Sequence, residues 1–118
     1  MDDKAKTEEL IQGLMQELRR GTLMISVLSQ LMKPQYGYSL VTVLADRGVD
    51  IDAGTLYPLL RRLEKQGLLA SQWDTDEARP RKYYLLSEMG KDVYARLRTE
   101  WMKMTNIMEG LLNGSGEA

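Results

Sequence analysis

The sequence predicts a mainly α-helical fold with one small β-hairpin: a winged helix-turn-helix set between an N-terminal helix and a long C-terminal dimerisation helix. Three observations predict it. Two short helical patterns, 36–47 and 52–66, follow one another across a brief link. Two apolar strand patterns, 68–73 and 81–86, come directly after them, joined by a charged loop. A long helical pattern with an apolar seam then runs from Glu88 to about Leu112. Helix, helix, strand, strand is the order of a winged helix-turn-helix, with the second short helix as its recognition helix.

In chain order, residues 7–20 read as a helix starting near Thr7, with Leu10, Ile11, Leu14, Met15 and Leu18 on one stripe. Residues 22–32 continue as helix with Ile25, Leu28, Leu31 and Met32 inward, until Pro34 stops it. Gly21 between them fits either a break or one weakened long helix. The next helix opens at Tyr36-Gly37-Tyr38-Ser39-Leu40, turns Leu40, Val43 and Leu44 to the core, and ends at Gly48.

The following helix organises the rest. Asp52 is a good N-cap and Gly67 a good exit. At 3.6 residues per turn Leu56, Leu59, Leu60 and Leu63 share one face, and Thr55, Tyr57, Pro58, Arg61, Arg62 and Lys65 lie opposite. Pro58 forfeits a bond to the Gly54 carbonyl, a cost softened in the first turns. A basic face on an isolated helix is usually just a solvated one. Here its neighbours point further.

In the second strand Lys82, Tyr84 and Leu86 share one face, and Arg81, Tyr83 and Leu85 the other. Ser87 caps the last helix, along which Val93, Leu97, Trp101, Met104, Met108 and Leu111 recur at coiled-coil-like spacing. That seam and the stripe through Leu14 and Leu18 lack an obvious partner within the chain. Pairing of two chains covers both. The expected organisation is an N-terminal extension contributing to dimerisation (1–20), a winged-helix domain (21–87), a dimerisation helix (88–112) and a disordered tail (113–118).

Composition narrows the chemistry. The chain has 118 residues, a net charge of −1, and neither Cys nor His. One domain is expected, without disulfides, Cys/His zinc sites, thiol nucleophiles or imidazole acid–base catalysis. No carboxylate pair at a suggestive spacing replaces them, so neither an enzyme nor a cofactor is expected. The absence of a long apolar run or signal peptide predicts a cytoplasmic protein that does not enter a membrane. A near-neutral total still permits a local basic surface, and Arg61, Arg62, Lys65, Arg79, Arg81 and Lys82 supply one.

Three segments carry a specific resemblance. They are Tyr36-Gly37-Tyr38-Ser39-Leu40, then Gly54-Thr55-Leu56-Tyr57-Pro58-Leu59-Leu60-Arg61-Arg62-Leu63-Glu64, then Arg81-Lys82-Tyr83-Tyr84 with Ser87-Glu88-Met89-Gly90. Their order and spacing resemble the PadR family of bacterial transcription regulators. Trp101 is similar to a tryptophan that multidrug-sensing members of the short-chain subfamily place at the dimer interface, and Trp73 likewise resembles a tryptophan of those members. Ala78 stands where the family usually has Gly, Leu85 where it more often has a polar residue, and the segment before Arg19 is longer than in the shortest members. The resemblance implies a homodimeric repressor on a palindromic operator, released by a small aromatic or hydrophobic effector.

The DNA chemistry expected of these residues is specific. Thr55, Tyr57 and Arg61 point into the major groove, with Arg61 best placed for guanine O6 and N7, and Pro58 faces a sugar or a thymine methyl. Tyr38 and Ser39 bind phosphate at a helix start; the alternative for Tyr38 and for Tyr57 is plain packing on the helix surface. Lys65, Arg79, Arg81 and Lys82 neutralise phosphates; Arg62 does so too or pairs with a carboxylate, and Lys82 does so or snorkels from the core side. Asp74, Asp76 and Glu77 keep the wing tip itself off the backbone. Trp101, Met104 and Met108 line an effector cavity or form plain dimer core. The rival expectation is a winged-helix protein-interaction module that binds no operator.

Overall fold

The computed structural model describes residues 2–76 and 78–114. The elements are α1 (Asp2–Ser29), β1 (Gln35–Tyr36), α2 (Gly37–Asp46), α3 (Ala53–Lys65), β2 (Leu69–Asp74), β3 (Arg81–Leu86) and α4 (Glu88–Leu112). The sheet is antiparallel in the order β1-β3-β2. It is the winged helix-turn-helix expected, flanked by two long helices.

Local chemistry sets the element ends. The Asp52 carboxylate accepts the Thr55 N–H at 2.7 Å, capping α3. Ser87 caps α4 through the Gly90 N–H at 2.9 Å, while its own hydroxyl donates to the Gly67 carbonyl at 2.6 Å. Helices α2 and α3 both end in Schellman turns. Gly48 (φ 91°) and Gly67 (φ 86°) take the left-handed position, and the Val49 and Leu68 N–H groups close on the Leu44 and Leu63 carbonyls.

The core gathers Val27 and Leu28 from the end of α1, Leu31 just beyond it, Leu40 and Leu44 from α2, and Ile51 from the link between α2 and α3. Leu56, Leu59, Leu60 and Leu63 join from α3, and Leu69, Tyr84 and Leu86 from the sheet. All four α3 leucines predicted inward are buried. Gly90 is fixed by contact, since a Cβ there would lie 2.0 Å from the Leu68 carbonyl oxygen. The radius of gyration is 17.9 Å, against roughly 13 Å for a compact chain of this size. The excess reflects the outer parts of α1 and α4, which project beyond the core.

Of the two alternatives at Gly21 the structure has the single long helix, α1 running unbroken from Asp2 to Ser29. Other expectations are corrected. Thr7 is no start; its hydroxyl donates to the Asp3 carbonyl at 2.7 Å, inside the helix. The helix ends before Met32, which is 55% exposed, because the Leu31 carbonyl turns to accept the Leu86 N–H of β3. Strand β1 is an addition that the sequence pattern did not predict. Residues 113–114 form a turn after α4, and the rest of the expected tail lies outside the described residues.

Candidate nucleic-acid interface

Helix α3 presents its polar side as the buried leucines require. Thr55, Pro58, Arg61, Arg62 and Lys65 are exposed. Tyr57 is half-buried, its ring lying over Gly37 so closely that a Cβ there would sit 2.6 Å from the ring. Pro58 leaves the helix continuous. Among the described residues Arg61, Arg62 and Lys65 have no carboxylate partner. Their charge is unspent.

The wing is fastened to the helices on both sides. In the β2–β3 register Trp73 faces Lys82 and Ser71 faces Tyr84, while Asp74 faces Arg81 and Gln72 faces Tyr83. On the α3 side, Glu64 accepts from the Ser71 hydroxyl and, at 3.3 Å, from the Lys82 ammonium, so one carboxylate ties α3 to both strands. The Ser71 hydrogen bond, then Lys82, hold the Glu64 carboxyl below its ordinary range against the opposing effect of burial. Lys82 also lies 5.3 Å from the Tyr84 ring centroid.

On the other side the Tyr36 hydroxyl donates to Asp74 at 2.6 Å, and the Tyr36 ring meets Tyr83 edge-on at 6.0 Å. The Arg81 guanidinium lies 4.3 Å above the Tyr36 ring and donates to the Tyr38 hydroxyl at 2.8 Å. Asp74 is held below the usual carboxylate range first by Tyr36 and then by the Asp76 N–H. One of the acidic wing residues is therefore spent on structure, and Glu77 lies outside the described residues.

Between α3 and the wing is a cleft of about 380 Å³ lined by Tyr38, Tyr57, Arg61, Arg81 and Lys82, together with Trp73. Five of the predicted DNA-facing residues thus share one concavity. Arg62 and Lys65 lie further along α3, Arg79 is exposed in the wing loop beside Pro80, and Ser39 is half-buried near the start of α2. Lys82 is only half-exposed and already engaged by Glu64, so it is less available to phosphate than its residue type suggests.

Sequence reasoning missed Tyr36, Glu64 and Trp73 as parts of this site. Apart from Tyr38, on which its ring stacks, the partners that carry Tyr36 into the site (Asp74, Arg81 and Tyr83) are 38 and more residues away, so its local sequence does not signal it. The hairpin register would have paired Trp73 with Lys82.

The second predicted site lies along the outer helices. Leu14, Leu18, Trp101, Met104 and Met108 line an open groove of about 770 Å³ with Ile11 and Met15. Helices α1 and α4 meet near Gly21, where Met24, Ile25, Leu97, Trp101 and Met104 surround a smaller hollow of about 150 Å³. Each long helix therefore has an intrachain partner, but only over this middle part. Val93 and Leu97 are half-buried, whereas Leu18 (75%) and Leu111 (71%) are largely exposed. No group of His, Cys, Asp and Glu among the described residues could hold a metal. No described helix is long and apolar enough to cross a membrane.

A winged helix-turn-helix whose second helix offers unpaired cations defines a class of proteins, the DNA-binding regulators of transcription. Residues 24–96 match the Transcriptional regulator PadR-like family, and the chain belongs to that family. A PadR family transcriptional regulator from Eggerthella lenta is 46% identical, with a TM-score of 0.86 over 93% of this chain and 98% of its own. A PadR-like transcriptional regulator from Bacillus cereus is 26% identical, with a TM-score of 0.75 over 83% of this chain and 98% of its own. The transcriptional regulator Rv3488 of Mycobacterium tuberculosis is 32% identical over 78 residues, 65% of this chain and 73% of that protein.

Proposed function

We propose that the protein is a homodimeric, sequence-specific repressor that binds a palindromic operator and leaves it when a small aromatic or hydrophobic effector binds. One observation carries the DNA part: four leucines bury one side of α3, and Thr55, Pro58, Arg61, Arg62 and Lys65 stand exposed on the rest. Arg61 reads guanine, flanked by Thr55 and Tyr57. Tyr38, Ser39, Arg62, Lys65, Arg79 and Arg81 hold the phosphates, with Lys82 a secondary contact. The site of action places the protein in the cytoplasm.

The dimer part is supported by the apolar length of α1 and α4 left uncovered by one chain. Leu14, Leu18, Val93, Leu97, Trp101, Met104, Met108 and Leu111 form that interface. The groove beside Trp101 takes the effector, with the methionines adapting to its shape. An effector that fits only one spacing of the two winged units shifts the population away from the DNA-competent spacing.

The test is titration of the protein against the DNA upstream of its own gene at two salt concentrations. If Arg61, Lys65, Arg79 and Arg81 of both copies each release a counterion, log affinity falls against log salt with a slope of roughly −7. Arg61→Ala weakens operator binding and relaxes base preference, while Lys65→Ala mainly reduces the slope. Affinity indifferent to both sequence and salt rejects the repressor and leaves a protein-interaction module. A panel of planar aromatic compounds, read by tryptophan quenching and by operator release, tests the effector; Trp101→Ala retaining full affinity rejects the Trp101 platform.

A further inference from the structure

The cleft between α3 and the wing contains a large apolar surface that the assignments above leave idle. Trp73 is 59% exposed, although tryptophan is on average a well-buried residue. The strand register explains how it comes to be there. Trp73 pairs across the hairpin with Lys82, on the side that carries Ser71 and Tyr84. Tyr84 and Leu86 on that side are buried in the core, and Ser71 reaches Glu64 of α3. Trp73 stands where this side of the sheet runs on past the core and overhangs the cleft.

Its surroundings combine two chemistries. Tyr57 and Pro80 add apolar area, and Arg61, Arg81 and Lys82 add positive charge. The Lys82 ammonium lies 6.0 Å from the indole centroid and is held there by Glu64. The occupant that needs a flat apolar wall beside cations is a sugar–phosphate unit, apolar on one face of its ring and anionic at its ester. Bases in a duplex stay stacked, so an indole approaching from the flank meets deoxyribose rather than a base face.

We propose that Trp73 is a DNA-contact residue that seats one sugar–phosphate unit of the operator in this cleft, its indole against the deoxyribose and Arg81 beside the phosphate. The proposal rests on the DNA-binding reading above. It adds a contact made by the strands of the wing, away from the loop that carries Asp76. Because the indole neutralises no charge, its contribution does not depend on counterion release. Glu64 acts as a positioning residue through Lys82.

The test titrates the full chain, as wild type, Trp73→Ala and Trp73→Phe, with the upstream duplex over a range of salt. Trp73→Ala weakens binding by about tenfold, the size expected for losing a modest apolar contact area, with an unchanged slope of log affinity against log salt and an unchanged melting temperature. Trp73→Phe recovers most of the loss, since a flat ring remains. Adding DNA to the wild type shifts tryptophan emission, and Trp73→Phe loses that shift. A Trp73→Ala protein that binds as tightly as wild type overturns the proposal alone. So does a loss accompanied by a lowered melting temperature, which would mark a structural role. A wild type with no sequence- and salt-dependent binding overturns the DNA reading itself.

Discussion

The winged unit and the outer helices use the same kinds of apolar side chain to opposite effect. In the winged unit Leu28, Leu40, Leu56 and Leu60 are fully enclosed, each at a position the helical period predicts. In the outer helices Leu14 is 55%, Leu18 75% and Leu111 71% exposed, on seams just as regular. The difference teaches that periodicity identifies a face to be buried and says nothing about what buries it. One chain completes the first region and leaves the second unfinished.

Substitutions can break this contrast, and the largest effect belongs to the winged unit. Gly90→Ala forces a methyl against the Leu68 carbonyl oxygen, backbone that cannot yield. Thermal or urea unfolding should show a loss of more than about 4 kcal/mol, or no folded protein. Leu60→Ala should cost about 2–5 kcal/mol, with a loss that does not depend on protein concentration. Trp101→Ala, in the unfinished region, should raise the dimer dissociation constant by tenfold or more, on the order of 1.4 kcal/mol. Sedimentation velocity across a dilution series reads that change, while the winged unit keeps its fold.

The smallest effect sharpens how the wing is held. The Glu64 carboxyl titrates below its ordinary value of 4.5, chiefly through Ser71. Its contribution is therefore complete above pH 4.5 and is lost as pH falls through the lowered value. The side chain is 32% exposed, so solvent screening keeps the contribution under about 1 kcal/mol. Glu64→Gln should lower stability slightly at pH 7, and by progressively less as pH falls below 4.5, as followed by urea unfolding across that range.

Much of this was legible in the chain. The α3 leucines, the Asp52 and Ser87 caps and the left-handed glycines at 48 and 67 are local signals, and local interactions decide them. The hairpin followed from alternation. Long-range matters were not legible. Strand β1 is only two residues long, too short to alternate, and forms because β3 offers it an edge. Met32 fitted the helical stripe but fell outside because the Leu31 carbonyl binds β3 instead. Lys82 looked like a phosphate contact, and only the packing of α3 on the wing gave it a carboxylate. Tyr36 gains Asp74, Arg81 and Tyr83 from the fold, and Trp73 is placed beside Lys82 only once the hairpin register is worked out.

The most direct test of the unfinished region is the mass of the purified chain by sedimentation equilibrium, from tens of micromolar down to nanomolar. One chain weighs 13.5 kDa. The account predicts twice that mass over most of the range, with Trp101→Ala falling to a single chain at a higher concentration than the wild type. A wild type that stays at 13.5 kDa at every concentration would contradict it, because the seams of α1 and α4 would then face water without a partner.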